Sequence, residues 1–309
     1  VSTGPLARRE VLELRARVLE RIRDHFRARD VLEVTTPVIT ACGVSDLHLE
    51  SIEVKGKPGG WLRTSPEYFH KRLLAAGTGD IFEIGPVFRG SETGHRHQPE
   101  FQMLEWYRTG RDLEEISSET VDIVRAAAGG SLDAWPVHNL TWSESCQKVT
   151  GQDLRSMTDD ELRSLAADAP PGLTRSGCYD WLFSTRIQPA LKAGTITVIR
   201  DFPPEQAALA RIRQDNPPVA ERFEVFLGDM ELANGYRELT DPAEQRRRFE
   251  ADNRGRRDSG LPEMPIDEAF LKALESGLPD CAGVALGIDR LVMAIAGADS
   301  IDQVITFGH

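Results

Sequence analysis

Phe88-Arg89-Gly90-Ser91-Glu92-Thr93-Gly94-His95-Arg96-His97-Gln98-Pro99-Glu100-Phe101 is the stretch on which the reading of this chain turns. Ile81 to Val87 before it and Phe101 to Tyr107 at its end are rich in β-branched and aromatic residues, which suits strands. The stretch therefore reads as strand, polar loop and returning strand, with Arg89, His95, Arg96 and His97 near the loop. A planar guanidinium grips a phosphate through two hydrogen bonds, so such a hairpin can wrap a nucleoside triphosphate, with Phe101 on a purine face. Taken alone, the same residues also describe an ordinary charged hairpin tip.

Outward from this hairpin the chain alternates irregularly. From Pro5 to about Ala28 apolar residues recur at helical spacing, and Val31 to Val34 then reads as a short strand running into Pro37. Gly60 to Arg63 is a further strand, and Pro66 to about Ala76 a helix. Phe223 to Leu227 and Glu231 to Arg237 read as strands, while Asp241-Pro242 is a helix start, an N-cap carboxylate followed by proline at the first helical position. The middle, about 112–219, reads as a mostly helical insertion beside the site, punctuated at Pro136, Pro170-Pro171-Gly172 and Pro217-Pro218. Strands and helices in this order, without regular βαβ alternation, predict one α+β domain over 1–309, an antiparallel sheet flanked by helices.

Composition narrows the function. With 40% apolar residues in 309, the chain can bury a large core. A net charge of −12 is unlike a protein that lives on phosphate backbones, where Lys and Arg carry the affinity. Arginines cluster from Arg15 to Arg29 and at Arg246 to Arg248, Arg254, Arg256 and Arg257, as solvated helix faces laced with carboxylates or as docking surfaces. Cys42, Cys146, Cys178 and Cys281 are far apart, with no C-x-x-C pair and no His at metal spacing, so neither a disulfide framework nor a zinc site is expected. No apolar run approaches a membrane span, and the N-terminus lacks a secretory core, so a cytoplasmic location is expected.

Two other constellations join the hairpin. Arg29-Asp30-Val31-Leu32-Glu33-Val34-Thr35-Thr36-Pro37 is a helix running into a strand that stops at proline. Glu224, Glu231 and Glu238 follow one another at seven-residue steps, and Gly283-Val284-Ala285-Leu286-Gly287-Ile288-Asp289-Arg290 comes later. Converging carboxylates suit Mg²⁺, which takes one or two of them plus phosphate oxygens. Seven positions along a strand point to opposite faces unless a turn or bulge intervenes, and Gly228-Asp229 supplies a turn. Surface acids on an exposed edge are the alternative.

In order, the three segments resemble the signature motifs of class II aminoacyl-tRNA synthetases, and the likeness covers nearly the whole chain. Ser65-Pro66-Glu67 before Lys71-Arg72-Leu73, His97-Gln98-Pro99-Glu100-Phe101 and Asn234-Gly235-Tyr236-Arg237-Glu238-Leu239 look like the lysine branch. A lysyl-tRNA synthetase carries an N-terminal OB-fold that reads the anticodon, whereas this chain opens on the helix before the first motif. The short form is similar to the elongation factor P lysine ligase family, which attaches (R)-β-lysine to a lysine side chain of that factor.

The resemblance implies a class II catalytic core, ATP and Mg²⁺ as cofactors, and elongation factor P as acceptor, without stable tRNA binding. Arg89 and Arg290 would be the catalytic arginines, on the α- and γ-phosphates, with His97 at the β/γ end and Phe101 on adenine. Ser91, Glu92, Gln98, Leu232 and Gly287 would complete the ATP site, and Glu224 and Glu231 would hold the metal. Glu238, helped by Tyr107, would take the distal ammonium, while Ser65, Pro66, Glu67, Glu105, Asn234 and Tyr236 frame the rest of the amino acid. Ala285 stands where lysyl-tRNA synthetases have glycine, and its methyl would favour an amino group on the β carbon. Two departures bear on ATP: the family's Arg-x-Glu is here Arg89-Gly90-Ser91-Glu92, and Gln98 replaces an asparagine. Class II cores pair through the first motif, so a homodimer is expected. The other readings are a truncated synthetase paralogue that loads a tRNA or a small amine, and a non-catalytic regulator that binds an amino acid.

Overall fold

The computed structural model describes residues 6–90 and 93–308. The first helix, α1 (Arg9–Arg27), buries Val18, Ile22 and Phe26, a stripe at helical spacing. It runs into the two-residue strand β1 (Leu32–Glu33). A small sheet follows, of β2 (Ile39–Thr40), β3 (Glu53–Val54) and β4 (Gly60–Leu62). Next come α2 (Glu67–Ala75) and the hairpin of β5 (Ile81–Phe88) and β6 (Glu100–Thr109).

The stretch read as a helical insertion is helical in its centre and contributes strands at both ends. It holds α3 (Leu113–Ala128), β7 (Val137–Thr141), α4 (Trp142–Thr150), α5 (Asp159–Leu165), α6 (Arg175–Leu182), β8 (Ile196–Phe202) and β9 (Ile212–Arg213). Three of these are strands of the main sheet, and α3 packs its apolar side into the central core. The sequence did not reveal this, because a short buried strand such as Ile196–Phe202 has no alternation to betray it. The part around α4–α6 has a core of its own, built on Trp142, Tyr179 and Leu182.

The chain closes with β10 (Val219–Leu227), β11 (Met230–Arg237), α7 (Pro242–Asp258), α8 (Glu268–Gly277), β12 (Cys281–Gly287) and α9 (Ile288–Ala296). The main sheet runs β1-β5-β6-β12-β11-β10-β8-β7, with β9 paired to β10. From β5 to β8 every pairing is antiparallel, and β1 and β7 add a parallel strand at either edge. One face is sealed by α1, α3 and α9 over residues such as Trp106, Val284 and Leu286. The opposite face is open and polar.

On α7 the arginines pair with carboxylates, Arg246 with Glu268 and Arg248 with Glu244. Arg256 is different: it is buried and donates to the carbonyls of Pro262 and Asp46, tying a loop to the helix. The Asp241 carboxylate accepts from the amides of Ala243 and Glu244, as its place before Pro242 predicts. Asp241→Ala should cost about 1 kcal/mol, read as a lower midpoint in a thermal melt followed by circular dichroism.

Candidate functional site

On the open face of the sheet, cross-strand neighbours form a continuous row. Glu83 on β5 lies opposite Glu105 on β6, Glu105 opposite Ala285 on β12, Ala285 opposite Asn234 on β11, and Asn234 opposite Glu224 on β10. A parallel row runs Tyr107, Gly283, Tyr236, Arg222. Strands sit about 4.8 Å apart, so each row is a strip of touching side chains.

Register decides membership. Val225 pairs with Ala233 but Phe226 with Glu231, which leaves Leu232 as an extra residue in β11. This bulge turns Glu231 onto the face of Asn234 and Tyr236, where plain alternation would send it into the core. The hairpin turn at Gly228, with φ of 60°, carries the chain back from β10, so Glu224 and Glu231 end on one face. Close approach fixes Gly283 too. A Cβ there would lie 2.3 Å from the Tyr107 ring and 2.6 Å from Glu238 Oε1.

Above these rows lies a cavity of about 1130 Å³. Ordinary small-molecule sites span roughly 300–1,000 Å³, so there is room for more than one ligand. At one end, Arg89 packs over Phe101, its guanidinium carbon 5.2 Å from the ring centre. Arg290, on the first turn of α9, donates to the main-chain oxygen of Glu231 at 2.9 Å and sits 2.5 Å from His97 Nε2. Gln98 lines the same end, but its amide donates to Asp302 at 3.0 Å. Leu232 and Gly287 line the cavity as well. Ser91 and Glu92 lie outside the described residues.

Glu224 is buried beside Arg222, with which it is hydrogen-bonded. Burial pushes its carboxyl up to about 7 against the pull of Arg222, and the Glu231 carboxylate adds to the rise. Two neighbouring acids on one face are a place where a divalent cation fits, with phosphate oxygens and water completing its shell. Among the described residues no group of three or more protein ligands gathers around one point.

At the other end the acids converge. Ser65 Oγ donates to Glu105 at 2.8 Å, and Tyr107 donates to the other oxygen of Glu105 at 3.0 Å, not to Glu238. Glu238 is fully buried, and its carboxylate lies 2.6 Å from the ammonium of Lys71, which also donates to Glu67 at 2.5 Å. Burial opposes the charge of Lys71, but Glu238 and Glu67 outweigh it and carry its pKa above the usual lysine value. Asn234 accepts from Arg222 at 3.3 Å. Pro66 does not line the cavity; it stands at the N-terminus of α2, which a proline suits.

Several residues here were not singled out by sequence. Lys71 and His70 follow Glu67 by one helical turn, and Arg222 precedes Glu224 by two strand positions, so each had a periodicity signal. Glu83 had none, since its partners Arg63, Thr36 and His70 come from other segments. His70 reaches from α2 to both Glu83, at 3.0 Å, and Glu105, at 3.4 Å, joining two like charges set opposite each other in the sheet.

With this site in view, the fold defines a class II synthetase: an antiparallel sheet with one face cored and the other holding two arginines, paired acids and an amine-sized acidic end. The chain matches the family of tRNA synthetases class II (D, K and N) over residues 6–309 and belongs to it, as an ATP-dependent amino acid ligase. Among its relatives are the elongation factor P (R)-β-lysine ligases of Mannheimia succiniciproducens, 44% identical over 98% of this chain and 96% of theirs, and of Vibrio cholerae, 42% identical over the same shares. That of Klebsiella pneumoniae is 44% identical over 95% of this chain and 93% of its own.

Burial raises the Glu83 carboxyl, yet hydrogen bonds from His70, Thr36 and Arg63 overcome this and hold it at about 2, below the ordinary 4.5. A depressed carboxyl stabilises the fold above pH 4.5, and the gain is lost as pH falls through about 2. Glu83→Gln should therefore cost about 3 kcal/mol near neutrality, with the deficit against wild type closing in acid; urea unfolding at several pH values checks it.

Proposed function

We propose that this enzyme activates (R)-β-lysine with ATP as an aminoacyl-adenylate and transfers it to a lysine side chain of elongation factor P. The observation that carries the reading is the acidic end of the cavity, Glu67, Glu105 and Glu238, lying across one sheet face from Arg89 and Arg290. A carboxylate bearing distal and proximal ammonium groups fits the first set; a triphosphate fits the second. The relatives' names supply the amino acid and the acceptor.

The amino-acid carboxylate attacks the α-phosphorus, and the bond to the departing pyrophosphate breaks. Arg89 stabilises charge on the α-phosphoryl group, and Arg290, with His97, draws on the far phosphates. No protein nucleophile is needed, because positioning and charge stabilisation supply the acceleration. Glu224 and Glu231 would hold Mg²⁺, which when bound would supply further neutralisation of the triphosphate. The acceptor's amine then attacks the activated carbonyl, and AMP leaves. Ala285 lies directly between Glu105 and Asn234 in the strand row, so its methyl group bears on where the proximal amine rests.

The test is ATP–pyrophosphate exchange with α-lysine and (R)-β-lysine, followed by the intact mass of elongation factor P. Exchange is expected with (R)-β-lysine in preference to α-lysine, with a mass gain of one lysyl unit on the factor, and Arg290→Ala should lower exchange by about 100-fold or more. Absence of exchange with every basic amino acid defeats the proposal. Exchange without the mass gain points instead to another acceptor.

The enzyme works in the cytoplasm as a homodimer, paired through the region of β1. Leu32 and Ile39 flank Pro37 and are 54% and 44% exposed, and β1 is an edge strand of the main sheet. No helix among the described residues is long and apolar enough to cross a membrane. Light scattering should give twice the chain mass, and Leu32→Asp should shift it to the monomer.

A further inference from the structure

Lys71 is a buried charged group of the acidic end to which adenylate formation assigns no part. Its side chain is fully buried, with Nζ 2.5 Å from Glu67 Oε1, 2.6 Å from Glu238 Oε2 and 5.8 Å from the centre of the Phe270 ring. Glu67 from α2 and Glu238 from the end of β11 pair with it directly, and Cys281 on β12 lies within reach of its charge. Around that pair, Glu105, Tyr107 and His70 act on Glu67 or Glu238, Tyr236 feels both acids, and α8 contributes the Phe270 ring.

Charge balance gives this arrangement its meaning. Four carboxyls, those of Glu67, Glu83, Glu105 and Glu238, meet Lys71, Arg63 and His70. With all four carboxyls ionised, one negative charge is left over when His70 is protonated and two when it is neutral, a surplus suited to a ligand with two ammonium groups; burial works against that full ionisation and pushes the Glu238 carboxyl up to about 8, against the pull of Lys71. Without Lys71 two buried acids would face each other unrelieved, and one would take a proton from water. That proton would occupy the place of the substrate's ammonium. Glu238 Oε2 lies against Lys71 and Oε1 does not; Oε1 is buried without a hydrogen-bond partner among the described residues. It is the oxygen beside Gly283, a residue that lines the cavity.

We propose that Lys71 is a positioning and specificity residue: it pulls Glu67 and Glu238 toward their charged forms and, by holding one oxygen of Glu238, leaves the other for the amine of a diamino acid. The inference rests on the reading of this end of the cavity as the amine pocket.

The experiment is ATP–pyrophosphate exchange by the wild type, Lys71→Met and Lys71→Arg with the diamino acid varied, between about pH 6.5 and 9. Lys71→Met should raise KM for the amino acid by about 30-fold or more, leave KM for ATP unchanged, and show a KM that falls as pH rises and the shared proton departs. Lys71→Arg should recover part of the affinity and the shallower pH dependence of the wild type. Because removing a buried cation can prevent folding, the charge-balanced double variant Lys71→Met with Glu67→Gln is measured beside it, and its KM should be raised without the pH slope. A wild-type KM in Lys71→Met, equal losses in kcat and both KM values, or a pH slope in the double variant overturns the assignment. A wild type with no exchange for any diamino acid fails the pocket reading itself; exchange by the wild type with an indifferent Lys71→Met fails this inference alone.

Discussion

One extra residue in β11 governs the geometry of the site. Leu232 has no partner on β10, and that single bulge lets Glu231 share a face with Asn234 and Tyr236 while Ala233 still packs into the core. Strand alternation is otherwise unforgiving, because a one-residue slip sends every later side chain to the wrong layer. The two demands, a sealed core under the sheet and an acid beside Glu224 above it, meet only because the bulge lies between them. The rest of the open face follows from regular pairing, with β12 and β6 carrying Ala285, Glu105 and Tyr107 in register.

The second constraint is electrostatic. Acids set opposite one another in adjacent strands repel, and a buried acid without a partner costs several kcal/mol. The fold answers with α2, which lays His70 over Glu83 and Glu105, and Lys71 between Glu67 and Glu238. With all four acids ionised the balance stops short of neutrality, and on the proposed reading the remaining negative charge awaits an amine-bearing substrate. At the other end, Arg89 and Arg290 supply the opposite sign. A single cavity is thus divided into a cationic and an anionic half, matching a phosphate ester at one end and an amino acid at the other.

Much of this was readable in the chain. The β5–β6 hairpin, the strands around Glu224 and Glu231, the α2 helix and the Asp241 cap follow from local signals, since turns, caps and strand composition act over a few residues. The family resemblance rests on those same segments, and the matched family spans residues 6–309. The ends of the middle stretch were harder to read. Val137–Thr141 and Ile196–Phe202 belong to the main sheet, but short strands among helical text carry too little periodicity to stand out. Tyr107 turned to Glu105, two residues back on its own strand, and Gln98 to Asp302, brought to it from far along the chain.

The sequence by itself determined the residue types at the site and the local elements that carry them, because capping, turn formation and alternation are properties of neighbouring residues. Only the tertiary structure decided which of those residues share a charge. That Lys71 of α2 meets Glu238, that Arg290 meets His97, and that Glu83 draws on three segments are consequences of packing helices and strands far apart in the chain. Electrostatic energy depends on distance through space and on exclusion of water, and neither is written in the order of the residues.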